Sequence, residues 1–264
     1  MRNRREDAGP VQSVDRAIAI LEIIARDGVV GVTDVARELG VHQSTAFRLM
    51  ASLDRRELIT QDSARGKYRL GMGIVRLAAA AGRRLDVVSE GRLVCEALAK
   101  EVGETVNISV LSGGDALYVD EVPGPSALSP HNWVGQRIPL HATSDGKVLL
   151  AYFPAARPVF PLQRFTEHTI TTEEVLDAAI AEVRQRGYAT AVNELEIGLT
   201  AIAAPVRDAS GEVIASLGTS GPSFRIPAER IPEMAAALVA AAADISRRLG
   251  WTNRRGGSGT SDET

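Results

Sequence analysis

Gln43, Ser44, Thr45 and Arg48 lie close together at the start of one predicted helix, and their side chains are of the kinds that contact nucleic acid. A glutamine amide pairs with an adenine edge, hydroxyls reach phosphates or bases, and an arginine reaches a phosphate or a guanine. At about 100° per residue Ser44, Arg48, Ser52 and Arg55 share one side of that helix. Ala46, Leu49, Met50 and Leu53 form a buried stripe on the other. A shorter predicted helix precedes it, opened by Thr33 as N-cap and ended by Gly40, which can take the left-handed conformation. Just after the pair, Arg65, Lys67 and Arg69 stand in a basic hairpin able to follow an adjacent phosphate backbone. Two helices around a glycine turn, with a packed back and a polar front, fit a DNA-reading unit. A three-helix protein-interaction module with a solvated polar face is the alternative.

A second group, Pro139-Leu140-His141-Ala142-Thr143-Ser144-Asp145-Gly146-Lys147, gathers His, Ser, Asp and Lys. A P-loop requires Ser or Thr after the lysine; Val148 follows Lys147 here. Gly218-Thr219-Ser220-Gly221 has the wrong spacing for a nucleophile elbow. Neighbours on a single strand-to-helix turn seldom supply nucleophile, base and orienter together. The segment does offer a helix N-terminus with free N–H groups, suited to a small carboxylate, or else an ordinary capped helix. Glu194 and Glu196, without a nearby histidine, make a poor metal site and read as a loop whose Gly198 allows a tight approach to the next strand. Tyr118 and Trp133 are core residues or pocket linings. One cysteine, Cys95, and four scattered histidines (42, 131, 141 and 168) give no metal-ligand spacing, so no metal and no cofactor are expected.

The chain that must position these groups has 264 residues, 45% of them hydrophobic, enough for two domains with real cores. Residues 1–85 carry 15 Lys+Arg against 10 Asp+Glu, and the other 179 carry 15 against 23. A basic N-terminal third on an acidic remainder suits a chain of which one part meets phosphates. No apolar run approaches a membrane span and the N-terminus lacks a signal-peptide core, so a cytoplasmic protein is expected.

Residues 1–9 read as disordered. Ser13 is placed to cap a first helix with Ala17, Ile20, Leu21 and Ile24 on its buried face, ended at Asp27-Gly28. After the helix pair, ELITQD and KYRLG read as strands across SARG, closing a winged helix-turn-helix over 10–72. Ile74, Val75, Leu77, Ala78 and Ala81 make an apolar seam on a linker helix that can pair subunits. A second domain, 73–252 with this linker, has a helix from Val87 to Lys100 and the hairpin TVNISVL/ALYVDEV around SGGD. The strand RIPLH, a helix from Ser144, a helix opened by a Thr171/Glu174 capping box, three more strands and an alanine-rich helix follow. The fold class is α+β, a mainly antiparallel sheet flanked by helices, with a flexible tail over 253–264.

Together these segments resemble the IclR family of bacterial transcriptional regulators over about residues 10–250. The resemblance is carried by VQSVDRAIAILE, VTDVARELGVHQSTAFRLMASL, KYRLG, RIPLHATSDGKVLLA, the Glu194-x-x-x-Gly198 spacing, IAAPVRD and SGP of 220–222. It implies an N-terminal winged helix-turn-helix, a dimerising linker helix and a GAF-like effector domain. It also implies homodimers or tetramers on palindromic double-stranded operators, controlled by a small organic or aromatic acid. The effector cavity it implies is lined by Thr143, Ser144 and Asp145, by the loop before Gly198, and by the strands holding Ala201 and Ser220. Where some members carry an acid and a thiol this chain has Ala191 and Ala201, and Gly218 replaces one of two pocket serines. Fewer polar groups disfavour a very small acid and favour a larger or more apolar ligand. Asp145 would also bring a negative side chain to any bound carboxylate unless it points outward. The expected function is a non-enzymatic repressor. An enzyme fused to a DNA-binding domain, acting on such an acid through His141 or Asp145, is the rival.

Overall fold

The computed structural model describes residues 11–62, 66–80, 86–126 and 133–252. The readings of 1–9, 253–264 and Arg65 lie outside the described residues. The chain divides into two compact units, residues 1–82 and 83–264.

In the first unit run α1 (Gln12–Asp27), β1 (Val30–Gly31), α2 (Val32–Glu38), α3 (Gln43–Asp54), β2 (Ile59–Asp62), β3 (Lys67–Leu70) and α4 (Met72–Ala80). β2 and β3 pair antiparallel as the wing, Ile59 opposite Leu70. The core joins Ile20, Ile23 and Ile24 of α1 to Val35, Ala46, Met50 and Leu53, with Ile59 and Tyr68 of the wing beneath. Gly28 and Gly40 both have positive φ, as the ends of α1 and α2 require.

Two expected caps are absent. α1 starts after Val11, with no side-chain cap, so Ser13 lies inside the first turn. α2 starts directly after Gly31, because β1 pairs with β3 through Val30–Tyr68 and Gly31–Lys67 and keeps the chain extended to that point. Thr33 is thereby carried into the helix. α4, expected with the second domain, falls in the first unit: Gly73 N–H donates to the Glu57 carbonyl at 2.8 Å and Arg76 pairs with Glu57. A side chain at Gly73 would collide with that same stretch of backbone, its Cβ 2.8 Å from the Arg56 carbonyl oxygen.

The second unit contains α5 (Asp86–Val102), β4 (Thr105–Ser112), β5 (Asp115–Val122), β6 (Arg137–Ile138), α6 (Ser144–Tyr152), α7 (Glu173–Arg186), β7 (Ala189–Val192), β8 (Leu199–Arg207), β9 (Val213–Pro222) and α8 (Ile231–Arg248). The strands form one antiparallel sheet in the order β6-β5-β4-β9-β8-β7. Its faces follow the period of two. Val106, Ile108, Ile202, Ala204 and Leu217 point to α5 and α8, whereas Ala116, Ala189 and Ala203 pack with Leu149, Leu150, Leu176 and Ile180 of α6 and α7. Cys95 is buried in α5, and burial pushes its thiol up to about 12, as befits a small core residue.

The strand read at RIPLH is shorter than expected. Pro139 offers no N–H to extend the ladder, and its carbonyl accepts instead from the Thr143 hydroxyl at 2.9 Å as the chain turns into α6. The Thr171/Glu174 capping box does not form: α7 begins after Thr172, and the Thr171 hydroxyl accepts from Arg164 at 3.2 Å.

Candidate functional site

At the start of α3, His42 is the cap. Its Nδ1 accepts from the Ser44 N–H at 3.3 Å and lies 2.8 Å from Ser44 Oγ, so one side chain serves an orphan helix donor and orients a surface hydroxyl. Gln43 donates from Nε2 to Thr33 Oγ1 at 3.1 Å, a side-chain tie between α3 and α2. Bidentate adenine pairing therefore requires Gln43 to leave Thr33. Ser44 and Arg48 are exposed and Thr45 is half-buried. On β3, Lys67 and Arg69 are exposed on either side of buried Tyr68. Arg48, Lys67 and Arg69 have no side-chain hydrogen bond or ion pair among the described residues, leaving three cations available to an external anion. Phe47, unremarked in the sequence, is 54% exposed between Thr45 and Arg48. Its spacing of three from Ser44 on a polar face was the available signal, and such a ring suits a thymine methyl.

In the second unit, a cavity of about 350 Å³ opens between α6, the sheet and the β7–β8 loop. Thr143, Ser144, Asp145, Ala191, Ala201 and Ser220 line it, as expected, and so do Tyr118 and Trp133. Gly218 does not. It lies under Asp145, where a Cβ would be 2.5 Å from the nearer carboxylate oxygen. Thr143 caps α6 by accepting from the Gly146 N–H at 3.1 Å. Ser144 is fully buried, and its Oγ has no partner among the described residues. An unpaired hydroxyl on a cavity wall is an anchor for something that enters.

Asp145 points inward, onto the sheet. Its Oδ1 accepts from Ser109 Oγ at 2.9 Å and Asn107 Nδ2 at 3.3 Å. Burial raises this carboxyl above its ordinary value, and those hydrogen bonds pull the other way. The Tyr118 hydroxyl is pushed well up, first by burial and then by the charges of Asp145 and Glu121. Glu121, Glu194 and Glu196 also line the cavity, and among the described residues no Lys, Arg or His does.

From the sequence alone Glu194 reads as part of a loop. In the structure it accepts from Lys147 Nζ at 2.6 Å, a pair 5% and 13% exposed that ties α6 to the β7–β8 loop. The loop is further held by Thr169 Oγ1 on the Glu194 carbonyl at 2.7 Å and by Thr166 Oγ1 on the Asn193 carbonyl at 2.6 Å. Gly198, with positive φ, carries it into β8 as expected. His141, through which the enzyme reading would act, bonds through Nε2 to the Gln163 carbonyl at 2.8 Å and is not among the cavity's lining residues. Among the described residues there is no group of three or more metal-ligating side chains, and no helix is long and apolar enough to cross a membrane.

Comparison with known proteins agrees with this arrangement. Residues 13–63 match the IclR helix-turn-helix domain, and residues 79–247 match the bacterial transcriptional regulator IclR C-terminal domain. The chain is 32% identical over 249 residues to the HTH-type transcriptional regulator BhcR of Paracoccus denitrificans, covering 91% of this chain and 88% of that one. It is 34% identical over 245 residues to the HTH-type transcriptional repressor AllR of Klebsiella pneumoniae, covering 90% of each. Among solved structures, Thermotoga maritima IclR superposes with a TM-score of 0.73 at 27% identity, covering 91% of this chain and 99% of that one. An IclR homolog from Microbacterium hydrocarbonoxydans, complexed with 4-hydroxybenzoate, superposes with a TM-score of 0.75 at 27% identity, covering 90% and 98%. With its recognition helix, wing and ligand-sized cavity, the chain belongs to the IclR family and is a transcriptional regulator with a DNA-binding helix-turn-helix domain and an effector-binding C-terminal domain.

Proposed function

We propose that the protein is a cytoplasmic, non-catalytic repressor whose grip on a palindromic operator is controlled by a small organic or aromatic acid bound in the cavity. Ser44, Thr45 and Arg48 enter the major groove with Gln43 beside them, while Lys67, Arg69 and Arg65 follow flanking phosphates. The exposed Met72 and Val75, one turn apart on α4, supply apolar surface for pairing copies into a dimer or tetramer. Thr143, Ser144, Asp145, Ala191, Ala201 and Ser220 meet the effector, with Gly218 acting from beneath Asp145. The observation that carries this reading is the fully buried, unpartnered Ser144 hydroxyl on the wall of a 350 Å³ cavity, in a chain that also bears an exposed recognition helix. An aromatic-sized occupant is supported by the cavity volume and by the 4-hydroxybenzoate found in the Microbacterium homolog. A ligand switches the protein only through different affinities for the DNA-competent and DNA-incompetent states.

The test is binding to the protein's own upstream intergenic DNA, with and without a panel of small aromatic molecules. Specific, salt-sensitive binding that one molecule weakens is the expected result. Strengthened binding would make the protein an activator or co-repressed regulator. Absence of specific binding, together with turnover of a panel member, would favour the fused enzyme.

A further inference from the structure

The floor of the cavity is a row of paired residues on one face of the sheet. Thr105, Ser220, Ala201 and Ala191 stand side by side across β4, β9, β8 and β7, and all four line the space. Two residues along each strand, on the same face, the next row is Asn107, Gly218, Ala203 and Ala189. Asn107 lines the cavity, and the other three do not. In the row beyond, Ser109 stands opposite Ser216, both fully buried and neither among the lining residues. Successive rows lie about 7 Å apart. The open space therefore ends within the second row.

Asp145 is what ends it. The residue is 2% exposed and lines the cavity from the first turn of α6. Its Oδ1 accepts from Asn107 Nδ2 at 3.3 Å and from Ser109 Oγ at 2.9 Å, so the carboxyl reaches from the second row to the third. Its Oδ2 occupies the place of a side chain at 218, where a Cβ would stand 2.5 Å away. A wall residue whose polar atoms are bonded to the protein acts on a ligand through shape, by limiting how far the ligand penetrates. Shortening Asp145 would leave the Asn107 and Ser109 donors buried without their acceptor. A carboxylate brought by a ligand is an acceptor of the kind they lost. Resting on the effector reading, we propose that Asp145 is a specificity-determining residue of the cavity, a depth stop that admits a small aromatic acid and turns away one carrying a second carboxylate opposite the first.

The experiment measures calorimetric binding of benzoate and terephthalate to the full-length protein and to its Asp145→Ala, Asp145→Ser and Asp145→Asn variants. The two probes share a ring and one carboxylate, and terephthalate adds another at the far end. The parent is expected to bind benzoate at least about tenfold more tightly, the scale of one hydrogen bond to a charged group, because the second carboxylate would have to displace that of Asp145. Asp145→Ala should move the ratio toward terephthalate by at least about tenfold. Asp145→Ser, which returns a hydroxyl to the two donors, should move it less, and Asp145→Asn, of the same shape, should keep the parent's ranking. A merely structural role would weaken both probes alike and leave the ratio in place. Terephthalate binding the parent as tightly as benzoate would overturn the assignment, whether or not any variant folds. A ratio unchanged in Asp145→Ala, or shifted as far by Asp145→Asn, would also overturn it while the effector reading survives. Neither probe binding, in protein that still holds DNA, would overturn the effector reading and the assignment together.

Discussion

Lys147 Nζ and Glu194 Oε1 are 2.6 Å apart in a buried ion pair that fastens the first turns of α6 to the loop closing the cavity. Burial lowers the Lys147 ammonium from its ordinary value and the Glu194 charge opposes that shift, so the pair is held together at a desolvation cost. Lys147→Met leaves a buried carboxylate uncompensated and should destabilise the second unit by about 3–5 kcal/mol. Lys147→Met with Glu194→Leu should recover most of that loss. Urea unfolding of the three proteins decides it. A single variant as stable as the parent would mean that water already screens the pair.

Asp145 and Gly218 make a second, steric pair. The carboxylate takes the room a side chain at 218 would need, with a Cβ only 2.5 Å from Oδ2. Gly218→Ala should therefore destabilise by about 1–3 kcal/mol through overpacking. In an Asp145→Ala background the same change should be nearly neutral, giving a coupling energy of about 1 kcal/mol or more in a double-mutant cycle. Additive effects would show that Asp145 swings away from Gly218 freely in solution.

The same carboxyl predicts a dependence on pH. Because burial raises it, the native state keeps a proton that the unfolded chain releases. The stability this contributes is complete below the unfolded value and is lost as pH rises through the folded one. Asp145→Asn lacks the effect. The variant's stability relative to the parent should thus grow from acid toward neutral pH and then level off. Thermal unfolding across that range is the check, and an advantage that shrank with rising pH would reverse the assigned direction.

Features set by local period or by a single residue's φ were legible in the sequence. The apolar stripe of α3, the wing, the β4–β5 hairpin and the glycine ends at 28 and 40 all belong to that class. Features set by distant partners were not. Thr33 failed as a cap because two residues of β1 pair with β3 and hold the chain extended to Gly31. Glu194 passed for a loop residue because its partner lies 47 positions earlier. Six of the seven expected cavity residues line the cavity, whereas Gly218 sits one layer beneath it, a difference that only the inward turn of Asp145 explains.

Arg48 and Phe47 separate two ways of reading DNA. Arg48 is exposed without a side-chain partner among the described residues, so Arg48→Ala should leave thermal stability within about 0.5 kcal/mol of the parent. If Arg48 contacts a phosphate, affinity for every sequence should fall and the salt slope should shrink by about one; if it contacts a guanine, one operator position should relax by about 1–3 kcal/mol. Phe47 is 54% exposed and carries no charge, so any contact it makes with a base is through its ring. Phe47→Ala should relax discrimination at a thymine without changing the salt slope, since no charge is lost. Operator-variant binding at several salt concentrations tests both residues together. A Phe47→Ala protein that binds every operator variant as the parent does would take the ring out of the interface and leave Arg48 to stand alone.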